Sequence, residues 1–70
     1  MSVFNTIDLV GVSDQSWGQA AREALREAAK TIRRISKMDV LGTACKIDES
    51  GTIEYQTTVR LYFEVEPART

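Results

Sequence analysis

Three carboxylates fall within the short stretch "DESGTIE", at Asp48, Glu49 and Glu54, with Ser50 between them. Oxygen-rich clusters of this kind suit calcium, which takes several convergent oxygen ligands. The spacing is not that of a calcium-binding helix-loop-helix, because the ligands do not alternate around a central glycine. Within one chain the stretch therefore reads as a solvated acidic turn. Copies meeting on a symmetry axis could converge the same carboxylates, so Asp48, Glu49 and Glu54 are kept as candidate metal ligands. Cys45 is the only cysteine and there is no histidine, which excludes a zinc site and an intrachain disulfide. Lys46 is the one cation beside it, and Cys45 reads as a small buried residue. Arg22, Arg26, Lys30 and Arg33 or Arg34 form a basic stripe at helical spacing. Such a stripe could meet acidic partners or nucleic acid, but Glu23 and Glu27 interrupt it and the formal net charge is only -1. A solvated outer face is the better reading. No serine has an evident base and no glycine-rich phosphate loop is present. An enzyme is the weakest reading of these residues.

The elements that must position these groups are legible from periodicity. Val3 to Val10 reads as a strand, with Val3, Ile7 and Leu9 among its apolar positions. "GVSDQSW" breaks the pattern: Gly11 permits a turn, and Ser13 or Asp14 can cap a helix. From Asp14 to about Ile35 the period is helical, with Trp17, Ala21, Ala24, Leu25, Ala28, Ile32 and Ile35 on one apolar face. Trp17, at the start of that face, belongs to a core or an interface. Residues 37 to 47 form a second, less regular strand. "DESG" is a hairpin turn with Gly51 at its positive-φ position. "IEYQTTVRLYFEVE", 53 to 66, then alternates strictly, with Ile53, Tyr55, Thr57, Val59, Leu61, Phe63 and Val65 on one side. Pro67 ends it.

The order is β-α-β-β, an α+β fold. A helix joining the first two strands makes them parallel in space, and the hairpin makes the third antiparallel to the second. Placing the third strand in the middle pairs every neighbour antiparallel and wraps a three-stranded sheet on one long helix. The third strand spans about 45 Å at its ordinary rise. A compact chain of 70 residues should be only about 30 Å across. So small a chain buries little surface of its own, so neighbouring subunits must cover the excess strand. A single cysteine, the lack of a signal-like segment and the lack of a long apolar run point to a soluble, cytoplasmic protein that does not enter membranes.

Four stretches, "IDLVGVS" (7 to 13), "SWGQAAREAL" (16 to 25), "TIRRI" (31 to 35) and "EYQTTVRLYFEVE" (54 to 66), resemble the dodecin family. They cover nearly the whole chain in one register, as a single domain over 1–70. The resemblance implies a hollow homododecamer with helices outside and strands curved around the interior. It also implies a flavin (FMN or riboflavin) stacked at subunit contacts, held or stored without chemistry.

On that resemblance, Gln56 matches a glutamine that hydrogen-bonds the flavin ring edge. Lys37 occupies the position of the stacking tryptophan, and Ala44 that of an arginine frequent in bacterial members. Lys46, two residues on, is positioned to compensate for that arginine. An ammonium has no π-face, so the resemblance implies flavin binding that is weakened or lost. "SWGQAAREA" is closer to a branch associated with calcium, which makes Ca²⁺ the alternative ligand.

Overall fold

The computed structural model describes residues 3–65. Four elements follow in the order β1 (Val3–Ser13), α1 (Trp17–Ala29), β2 (Ile35–Ile47) and β3 (Ile53–Val65). The sheet order is β1-β3-β2, with both neighbours antiparallel to the central β3. Glu66 and Pro67, expected to close β3, lie outside the described residues.

The helix is shorter than its apolar periodicity suggests. Ser16 is the N-cap, its hydroxyl accepting the Gln19 N–H at 3.0 Å. Ser13, one of the two expected caps, instead holds the approach to the helix by accepting the Gln15 N–H at 3.0 Å. At the other end, Thr31 N–H and Ile32 N–H both donate to the Ala28 carbonyl, a tightened last turn. Arg34 then adopts φ 63, which turns the chain into β2. Ile32 and Ile35 keep the apolar stripe going from beyond the helix, and both pack on its core.

Alanines make the close contact between layers. Ala20, Ala21, Ala24 and Ala28 are buried against the sheet, where Val59 and Leu61 of β3 are fully enclosed. Ile7 and Leu9 pack against the same cluster, so the odd residues of β1 face the helix and Phe4, Thr6, Asp8, Val10 and Val12 face away. Thr57 is buried, and its hydroxyl donates to the Trp17 carbonyl at 2.8 Å, tying the first helical residue to the central strand. Gly11 is not a turn residue: it lies inside β1, beneath the Ala20 backbone.

β2 is irregular because it carries two extra residues. The register shifts between Ile35 and Lys37 and between Val40 and Gly42, so Ser36 and Leu41 are unpaired. Such bulges bend a strand and increase its twist. The molecule measures 59 × 20 × 15 Å, far longer than a compact chain of this size. Among the described residues only Leu61, Val59 and Thr57 are wholly enclosed large side chains, while Phe4, Val10, Val12, Val40 and Leu41 stand exposed.

A candidate ligand-binding sheet face

The face of the sheet turned away from the helix holds most of the candidate residues. At one end, Ala44 of β2 lies directly opposite Gln56 of β3, and Lys46 opposite Glu54. The Gln56 amide donates to the Glu54 carboxylate at 2.9 Å. An amide so placed has one N–H still free to meet a ligand. Beneath this end, the Trp17 indole N–H donates to the Ala44 carbonyl at 3.0 Å, and its ring meets Tyr55 edge-on, 5.2 Å between centroids at 84°. Trp17 thus braces the strand that carries Ala44, while 43% of its own surface stays exposed. Cys45 is exposed, contrary to expectation, because β2 is an edge strand whose end the short helix does not cover.

Lys37 sits at the other end of the same face, opposite Tyr62. Tyr62 and Gln56 are six places apart along β3, about 20 Å at the usual strand rise. One subunit therefore groups Gln56, Ala44 and Lys46 but does not bring Lys37 to them. The Lys37 ammonium lies 4.6 Å from the Tyr62 ring centroid and 3.7 Å from Asp39. Tyr62 donates its hydroxyl to the other Asp39 oxygen at 2.7 Å. That bond, with burial, holds the phenol above its ordinary value of 10.0, so Tyr62 stays a neutral donor.

Between the two ends runs a pair that single-strand reading misses. Arg60 grips Asp8 of β1 with two parallel bonds, 2.8 and 3.0 Å, and is also in register with Asp39 of β2. The Arg60 hydrogen bond holds the Asp8 carboxyl below its usual range. Alternation puts Arg60 on this face, but only the register supplies its partners.

The acidic turn is built for its own geometry. Asp48 Oδ1 accepts the N–H groups of Ser50 and Thr52 and the Ser50 hydroxyl, at 2.9, 3.0 and 2.7 Å. These bonds, the hydroxyl's foremost, depress its pKa, and Gly51 takes φ 85 as expected. Among the described residues of one chain, no three Asp, Glu, Cys or His side chains converge to hold a metal. Glu54 instead lines a cleft of about 530 Å³ between the turn and the helix start, with Asp14, Gln19, Glu23 and the apolar Val12 and Ile53. On the outer helix face Arg26 pairs with Glu23 and Lys30 with Glu27, which compensates much of the basic stripe. Among the described residues no helix is long and apolar enough to cross a membrane.

A helix laid on one face of a β1-β3-β2 sheet, with polar groups and open apolar side chains on the other, defines a small α+β fold. The chain belongs to the dodecin family, whose model matches residues 3–66. It is 35% identical over 69 residues to the calcium dodecin of Mycobacterium tuberculosis, covering 99% of this chain and 97% of that protein. It is 33% identical over 64 residues to the dodecin of Thermus thermophilus, covering 91% and 93%. The crystal structure of the calcium-chelating Mycobacterium tuberculosis protein, which has a calcium-binding site, superposes with a TM-score of 0.86 at 32% identity, covering 99% of both chains. A Thermus thermophilus structure gives 0.90 at 31% identity, covering 97% and 100%. The family is one of small binding proteins.

Proposed function

We propose that the whole chain, as one domain, assembles into a closed dodecameric shell that binds and stores a small ligand on its open sheet faces. The observation that carries this reading is the mismatch between length and core. The described residues extend over 59 Å, yet among them only three large side chains are wholly enclosed, and Phe4, Val10 and Val12 are exposed on the face the helix does not cover. Neighbouring copies of the chain are the natural cover for part of this face, since an oligomer gains the burial a single small chain lacks. The ligand is of the flavin type, bound weakly because Lys37 stands where stacking is needed. Gln56 contributes an amide and Lys46 a cation beside Ala44. No chemical step is assigned, and the setting is cytoplasmic.

Sedimentation should give a species near twelve times the 7.8 kDa chain mass, and a folded species at the chain mass overturns the assembly. Riboflavin fluorescence quenching should be weaker than in Lys37→Trp by about one to two orders of magnitude, the worth of one aromatic stack. Equal, tight binding by both proteins overturns the ligand reading.

A second reading is carried by the calcium dodecin relative: the shell binds Ca²⁺ through carboxylates such as Asp48, Glu49 and Glu54 gathered from several subunits. Calcium should then raise the melting temperature in a concentration-dependent way, as any ligand of the native state alone must. No change at millimolar calcium overturns it.

A further inference from the structure

We propose that Tyr62 is a ring-stacking residue on this sheet face, that its ligand is a planar aromatic small molecule, and that Lys37 is a displaceable cover over it. This rests on the reading of the sheet face as a ligand site, but it assigns the contact to a different residue and explains why the site is weak. Phe4, Ser36, Lys37 and Tyr62 line one cavity of about 270 Å³. Ser36 is the unpaired residue of the first bulge, so β2 bends at this cavity.

Tyr62 is fixed and Lys37 is not. The Tyr62 hydroxyl is bound to Asp39 across the strands at 2.7 Å, which holds the ring in one orientation. A preoriented ring loses little freedom on meeting a ligand, which favours stacking. Lys37 has a side chain 62% exposed, and its contact with Asp39 is long, at 3.7 Å. Its ammonium rests on the Tyr62 ring at 4.6 Å. An exposed cation–π contact and a surface ion pair are each weak, so the lysine can swing out to water and leave the ring bare. Phe4, half exposed, adds a second aromatic surface to the same cavity. Displacing the lysine costs a ligand part of its affinity, and removing the lysine returns it.

The test is riboflavin quenching by the assembled protein and its variants, with sedimentation to confirm assembly. Lys37→Ala should bind about three- to tenfold tighter than the unmodified chain, the combined worth of the two contacts it deletes. Tyr62→Leu in the Lys37→Ala background should lose that gain. Tyr62→Phe in the same background, which keeps the ring, should retain most of it and shows that the sheet tolerates change at this position. Lys37→Ala that binds no better, or Tyr62→Leu that binds as well as its parent, overturns the proposal. Binding by Lys37→Trp with no gain in Lys37→Ala leaves the ligand-binding shell standing and removes Tyr62 from it. Riboflavin ignored by every variant, Lys37→Trp included, overturns both.

Discussion

Gly11 lies directly beneath Ala20: a Cβ built on Gly11 would stand 1.8 Å from the Ala20 carbonyl oxygen and 2.7 Å from its carbon. The helix is therefore pressed onto β1 at a distance only glycine permits. The neighbouring alanines at 20, 21, 24 and 28 extend the same close approach along the layer. Because the clashing atoms are backbone, no side-chain rotation relieves them.

Gly11→Ala should accordingly destabilise the subunit by about 1–3 kcal/mol or more, the range for overpacking that moves backbone. For a domain of marginal stability that is a large fraction of the total. Gly42→Ala is the control, since a Cβ there meets nothing within 4 Å. Circular dichroism melts should show a clear loss for the first and little change for the second. Equal melting temperatures would show that the helix can ride off the strand.

Leu61 and Val59 are fully buried and form the centre of the small core. A carboxylate at position 61 cannot be solvated there and has no cation in the cluster to pair with. Leu61→Asp should abolish the folded subunit and assembly together. Sedimentation and circular dichroism should fail in parallel, whereas an intact folded monomer would separate the two processes.

The sheet order was legible because two signals agree. Strict alternation from Ile53 to Val65 required one buried face, and the four-residue turn at "DESG" fixed β3 against β2. The helix end was not legible, because Ile32 and Ile35 lie in a loop and a strand yet land on the helical stripe. Periodicity records which side faces the core, not which backbone carries it there. The exposure of Cys45 was hidden because it depends on how far a 13-residue helix reaches over the sheet, and the bulges at Ser36 and Leu41 because they appear only when β2 is set in register against β3. At the candidate site, types were readable but neighbours were not. Arg60 gains meaning only when register sets it between Asp8 and Asp39, and Lys37 only when it falls opposite Tyr62.

Two exposed carboxyls should give stability a modest dependence on acid. Asp8, bonded by Arg60, and Asp48, bonded by its own turn, are both held below the ordinary 3.8. A depressed folded-state pKa contributes stability above the unfolded value and loses it as pH falls through the folded one. Stability should thus begin to decline as pH approaches 3.8 and continue below it. Both groups are exposed, so solvent screening keeps each share small. Asp8→Asn and Asp48→Asn together should flatten this part of a melting-temperature against pH profile. An unchanged acid slope would place its origin elsewhere.

Gln56 and Lys37 cannot both touch one flavin ring from a single subunit, since about 20 Å of β3 separates Gln56 from the partner of Lys37. If the ligand meets both positions, it takes them from different copies. That arrangement allows complementation. Lys37→Trp should bind riboflavin tightly, and adding Gln56→Ala should weaken it about two- to tenfold, the net worth of one hydrogen bond. The unmodified chain keeps Gln56 but has a lysine at position 37. Shells refolded from a mixture of unmodified chains and Lys37→Trp/Gln56→Ala chains should contain some sites with a tryptophan from one copy and a glutamine from the next. These mixed shells should show a tight class of riboflavin sites that neither parent assembly has, visible as a biphasic quenching curve. A curve that is only the weighted sum of the two parents would mean that position 37 and Gln56 do not share a ligand.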